Sequence, residues 1–187
     1  PLWCRVGGGA LGANGDAAMA ILVTHISASS GALGWMILEW RKSGRPSVLG
    51  IATGSIAGLA AITPASGSVG PLGAVVIGFV STGLCYWMCT AIKSKFRYDD
   101  SLDVFGVHGV GGFVGTILVA VFAAPSLGGR VEGLVISKQL GVQLFAGVSV
   151  AVYTLIISFV ILKVLQKTIG LRVSENDERG GLDLNSH

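Results

Sequence analysis

An all-α, polytopic bundle of membrane-spanning helices is the fold class this sequence predicts, and three observations predict it. The 187 residues are 51% hydrophobic and only 12% charged, with 29 glycines. An ordinary soluble domain is about a quarter charged and about 7% glycine. All 13 Lys and Arg and all 10 Asp and Glu fall outside five uninterrupted charge-free stretches, and glycines recur at four-residue spacing inside them. Half the usual charge and twice the usual glycine tell against a disordered chain and a soluble enzyme domain, and the net charge of +3, scattered with no basic cluster interleaved with aromatics, tells against a nucleic-acid binder.

The five stretches are Ala17–Leu38, Ser47–Thr63, Leu72–Ile92, Val104–Ala124 and Gln139–Leu162, 17 to 24 residues long. About 20 residues cross about 30 Å of hydrocarbon as a helix, and a charge near the middle costs at least ~2.5 kcal/mol, so each stretch is predicted to span. The expected organisation is a transmembrane region over 1–167 and a tail over 168–187. Positive charge sets the orientation. The first connection holds Arg41, Lys42 and Arg45, the second none, the third Lys93, Lys95 and Arg97, and the tail Lys163, Lys167, Arg172 and Arg179. The positive-inside rule then makes the first and third connections and the tail cytoplasmic. The fourth connection, with Arg130, Lys138 and Glu132, weakens the contrast without reversing it.

Other signals are brief. Residues 2–14 show no signal-peptide pattern, and a start at Pro1 so close to a span implies a piece of a longer protein. Cys85 and Cys89 share a helix face at i, i+4, a spacing that suits two metal-binding thiolates. With no further Cys or His nearby, they are read instead as small buried apolar residues. No phosphate-cradling loop or hydrolytic grouping appears, so no enzyme activity, cofactor or metal is expected. Gly50, Gly54 and Gly58 in the second stretch, and Gly111 and Gly115 in the fourth, point to close helix packing of the kind that bilayers favour.

Function should show in polar groups inside the spans. His25 in the first stretch and His108 in the fourth are the ionisable candidates, because such a residue must face protein or a wet path. His25, between Thr24 and Ile26-Ser27, is expected to bond a backbone carbonyl or hydroxyl of a neighbouring helix. His108 sits in Asp99-Asp100-Ser101-Leu102-Asp103-Val104-Phe105-Gly106-Val107-His108-Gly109. A neutral imidazole accepts at one nitrogen and donates at the other, so it can guide a small polar molecule between apolar walls. Counted from Asp103 it lies only about 7.5 Å along a helix, and its depth requires an earlier helix start, near Arg97.

That run resembles the signature of the ammonium transporter family. Gly44-Arg-Pro-Ser-Val-Leu-Gly50 leading to Ile62-Thr-Pro-Ala-Ser-Gly67, Ser126-Leu-Gly-Gly129, and Gly170-Leu-Arg-Val173 with Gly181-Leu-Asp-Leu-Asn-Ser-His187 agree with it in order. The resemblance implies the C-terminal part of an eleven-helix inverted-repeat transporter fold: the last five helices, preceded at Leu2–Ala13 by a remnant of the sixth. It implies a multi-pass protein of the cell membrane with a cytoplasmic C-terminus, assembled as a homotrimer in the lipid bilayer, with ammonium or ammonia as its solute. A soluble nitrogen-regulatory protein is the expected partner of the tail. His108 matches the second of two facing pore histidines, whose partner lies in the half not present here. Asp100 and Asp103 match aspartates at the cytoplasmic end of the pore, where capping of the helix start is a sufficient role. Val104 and Phe105 would lie beside the path.

The N-terminal edge departs from the family pattern. Gly9 takes the position of the vestibule serine, and Arg5 falls near the aromatic gate. Two classes of function follow: part of a transporter whose apolar pore is lined by His108, or a non-conducting truncated membrane protein that acts through trimer assembly or its cytoplasmic tail.

Overall fold

The computed structural model describes residues 14–181, all of whose regular structure is helical. Arg5, Gly9 and the last six residues of the chain lie outside the described residues. The chain divides into two compact units, 1–144 and 145–187.

In the first unit, helix α1 (Gly15–Ser43) opens with Asn14, whose side chain accepts from the Ala17 N–H at 3.0 Å. It closes at Gly44, whose φ of +72° suits a residue without Cβ. Helix α2 (Val48–Ile62) is capped by the Ser47 hydroxyl, which accepts from the Gly50 N–H at 2.9 Å. At 15 residues it reaches about 22 Å, and with its caps Ser47 and Thr63 it fills the expected stretch. Pro64 has no N–H for the carbonyl four residues back, so the chain continues in hydrogen-bonded turns as far as Val69.

Pro71 sets the first turn of α3 (Pro71–Trp87). That helix runs without a break through a π-helical turn at Met88–Ile92 into α4 (Lys93–Phe96), and Arg97 in left-handed conformation ends it. A second π-helical turn, Phe105–Gly109, leads into α5 (Val110–Phe122). Among the described residues, four helical runs are long and apolar enough to cross a membrane: Gly15–Ser43, Pro71–Phe96, Phe105–Phe122 and Ile136–Thr168. The last is α6.

Small residues hold the first unit together. Helix α1 packs on α2 and α3, and α5 packs on α2 and α3. Gly58 lies against the Ser27 carbonyl of α1, while the Ser27 hydroxyl donates to the Gly58 carbonyl at 2.9 Å. One core cluster gathers Val23, Ala61, Ile62, Ala74, Ile77 and Val119. The other gathers Trp35, Ala57, Cys85 and Val107, with the Trp35 ring edge-on to Tyr86 at 5.1 Å. In the second unit, large apolar side chains of α6 such as Tyr153, Leu155 and Phe159 are exposed. Gly170 at φ +81° ends α6, and the Ser174 hydroxyl accepts from the Asp177 N–H ahead of α7 (Glu175–Gly180).

Candidate functional site

The site is built where the chain turns back after α4. Asp100 sits just ahead of the second π-helical turn, and its carboxylate accepts from the N–H groups of Val104 at 2.8 Å, Phe105 at 3.0 Å and Gly106 at 3.3 Å. Those are the donors a helix start leaves without an internal partner, and a negative charge there also meets the positive end of the helix dipole. Asp103 adopts φ +53°, and its carboxylate takes a 2.7 Å ion pair from Lys93. The same ammonium donates to the Asp100 carbonyl at 2.6 Å. Both acidic side chains are thus engaged within the protein.

The helix bearing His108 does not start near Arg97. Arg97 closes the preceding helix, and Asp100 caps the new one at Val104–Gly106. Its level is read from the facing helix instead. Three antiparallel contacts set the register: Lys93 with Asp103, Cys89 Sγ against Gly106, and the Cys85 thiol donating to the Val107 carbonyl at 3.6 Å. Cys85 lies about 21 Å from the Pro71 end and about 16 Å from the Phe96 end of its helical run. His108, next to Val107, therefore lies level with the middle of the neighbouring helix.

Two faces of this segment differ. Gly106, Val107, Gly111 and Gly115 are buried against the bundle, whereas Val104, Phe105 and His108 are exposed. A Cβ on Gly112, one turn beyond His108, would meet open space. His108 has no hydrogen bond to any described residue, so its imidazole is left to an apolar face. Tyr98 packs edge-on against Phe105 at 6.1 Å. Its hydroxyl is buried without a hydrogen-bond partner among the described residues, and burial, followed by the charges of Asp100 and Asp103, pushes the phenol above its ordinary value.

His25 departs from expectation. It makes no hydrogen bond among the described residues and lines an open groove of about 640 Å³ with Thr24, Ala28 and Ser29 of α1 and Ser55 and Leu59 of α2. Of the cysteines, Cys85 is fully buried and Cys89 half-buried. Three features had escaped the reading of the sequence: the Lys93 bridge, the paired π-helical turns, and Glu39. The Glu39 carboxylate accepts from Trp35 Nε1 at 3.2 Å and from the Ser47 N–H at 2.7 Å, tying α1 to the start of α2. The i, i+4 spacing of Trp35 and Glu39 was the available signal.

The family model for the Ammonium Transporter Family matches residues 6–187. The chain is 47% identical to an ammonium transporter of Aquifex aeolicus over 173 residues, 91% of this chain and 41% of that protein. It is 42% identical to the ammonium transporter Amt1 of Archaeoglobus fulgidus, over 97% of this chain and 46% of that protein. The crystal structure of Saccharomyces cerevisiae Mep2 superposes with a TM-score of 0.80 at 32% identity, over 94% of this chain and 41% of that one. A sensor Amt protein superposes with a TM-score of 0.86 at 29% identity, over 98% and 45%. The chain spans somewhat under half the length of these relatives.

Proposed function

The chain belongs to the Ammonium Transporter Family, and from that premise we propose that it forms the C-terminal part of a larger transporter that carries ammonium or ammonia across the membrane past His108. One observation supports this above the others: an unbonded imidazole stands level with mid-helix on an otherwise apolar face, behind acidic groups that are already engaged. An unpaired ion that enters an apolar space loses tens of kcal/mol of hydration in the limiting case. Ammonium escapes that cost by leaving its proton with water outside the apolar space and entering as ammonia, and potassium has no proton to leave. Ammonia then needs one acceptor and one donor along a dry wall, which a neutral imidazole supplies from its two nitrogens.

The remaining assignments belong to the same proposal. Val104 and Phe105 flank the path, Asp100 and Asp103 shape its inner mouth, the subunits assemble as a trimer in the cell membrane, and the tail over 168–187 faces the cytoplasm, where a soluble regulatory protein would meet it. The charges of Arg41, Lys42 and Arg45 on one connection and Lys93, Lys95 and Arg97 on another support that orientation. The non-conducting reading has its own support, because His108, Val104 and Phe105 are exposed and the face they form is not closed by the described residues.

The test is uptake of labelled methylammonium in cells lacking their own transporters, comparing the transporter that carries this chain with its His108→Ala variant and with this chain alone. Altered uptake or altered selectivity against potassium in His108→Ala supports the path. Wild-type flux and selectivity in that variant would refute it, and the chain alone separates the conducting from the non-conducting reading.

A further inference from the structure

Two sulfur atoms on one helix face grip the turn that displays His108. The Cys85 thiol is fully buried and donates to the carbonyl of Val107, the residue just before the histidine. The same sulfur lies 3.4 Å from where a Cβ on Gly111 would stand, and the Cys89 sulfur only 2.5 Å from where one on Gly106 would stand. Gly106 and Gly111 bracket His108 in sequence, so the contacts fall on both sides of it. The turn they grip is π-helical over Phe105–Gly109, and the facing segment that carries Cys89 is π-helical over Met88–Ile92. Such turns shift the register of every later side chain on the helix and recur at functional sites. The Val110 N–H is shared between the carbonyls of Phe105 and Val107, so the internal bonding of this turn is divided. An outside donor on the Val107 carbonyl therefore bears directly on how the turn is wound.

We propose that Cys85 is a positioning residue for His108: its thiol hydrogen bond to the Val107 carbonyl, with the Cys89 sulfur seated on Gly106, fixes the winding of the π-helical turn and so the direction of the imidazole. The proposal rests on the reading of His108 as a path residue for its functional meaning, but not for its geometry. A purely space-filling cysteine and a hydrogen-bonding one order the variants oppositely. Packing is kept best by Cys85→Val or Cys85→Ala, whereas the donor is kept only by Cys85→Ser.

The experiment uses the whole transporter that carries this chain, purified in detergent, with variants Cys85→Ser, Cys85→Ala, Cys85→Val, Gly106→Ala and His108→Ala. The first readout is the rate at which diethyl pyrocarbonate acylates His108, followed by mass spectrometry of its peptide on protein that elutes as wild type does. The second is the selectivity for methylammonium over potassium in liposomes. Cys85→Ala and Cys85→Val are expected to change the acylation rate by about threefold, the scale a weak thiol donor can impose, with Cys85→Ser close to wild type. Gly106→Ala, which drives a Cβ onto the Cys89 sulfur, is expected to change that rate as well and serves if the Cys85 variants do not fold. Selectivity should move with the acylation rate. Wild-type acylation in Cys85→Ala and Cys85→Val, or a change in Cys85→Ser as large as theirs, would overturn the positioning role. Should His108→Ala leave selectivity untouched, the path reading fails alone, because acylation still decides the geometry.

Discussion

Gly115→Ala and Gly112→Ala give a controlled pair on one helix. Both glycines lie within α5, so each exchange gains the same intrinsic preference of alanine over glycine, about 1 kcal/mol. Their surroundings differ. A Cβ on Gly112 would meet open space, whereas one on Gly115 would run into the carbonyl of Ala61 in α2, with the Ala61 Cα 2.9 Å away. The obstacle is backbone in the centre of a buried cluster, and no rotamer change can clear it. Helix α5 must move outward, and overpacking of this kind costs about 1–3 kcal/mol or more. Subtracting the shared gain leaves Gly115→Ala less stable than Gly112→Ala by at least about 1–3 kcal/mol, about a fivefold to hundredfold difference in the folded ratio. The assay is the loss of folded protein on titration with denaturing detergent, read by tryptophan fluorescence. Equal midpoints for the two variants would refute the close approach of α5 to α2.

Three further outcomes are expected. Glu39→Ala removes a carboxylate that accepts from the Ser47 N–H and Trp35 Nε1, and should cost about 1.5–3 kcal/mol in the same titration, with Glu39→Gln recovering part of it. Asp100→Ala uncaps three backbone N–H groups and should lower stability by about 0.5–2 kcal/mol, and Asp100→Asn should lower it less. The Tyr98 phenol holds its proton more firmly folded than unfolded, so its contribution is complete below the ordinary tyrosine value near 10.0 and is lost as the pH rises through and beyond it. Tyr98→Phe should flatten that alkaline fall, checked by the denaturation midpoint against pH and by phenolate absorbance.

Helix positions were legible because charge placement in a membrane protein is a strong filter. Any Asp, Glu, Lys or Arg in mid-bilayer is costly, so each charge-free stretch marks the middle of a helix. Their ends were less legible. Helices α1 and α6 run past their stretches to take in Glu39, Arg41 and Lys163, because backbone hydrogen bonding continues where hydropathy falls, whereas α2 with its caps Ser47 and Thr63 fills 47–63. Charge spacing likewise carries no trace of π-helical turns, because a change from i→i−4 to i→i−5 bonding leaves the composition unaltered. The Lys93 to Asp103 pair joins residues across a reversing loop, where periodicity has no meaning. His25 was assigned a bonded place, yet it lines an open groove, because hydropathy identifies a polar residue in a span but not the face it occupies.

The depth of His108 joins these threads. Counting along its own helix places the imidazole near one end, whereas its neighbours place it beside Cys85, in the middle of the run Pro71–Phe96. Both hold because the His108 helix starts level with Lys93, about 4.5 Å in from the Phe96 end of the neighbouring run. Asp100 and Asp103 are only partly buried at this helix start, and each carboxylate has its partner. Asp100 spends its charge on three N–H groups of the helix start, and Asp103 on the ammonium of Lys93. A carboxylate left free there would attract a passing cation, and firm binding slows release. We expect the acidic residues ahead of the histidine to serve the helix start and the Lys93 pair rather than to collect cations, and the discriminating observation is direct. Lys93→Met frees the Asp103 charge, so it should make cation block of methylammonium flux stronger if the mouth is normally neutralised, and leave block unchanged if Asp103 already stands open to cations.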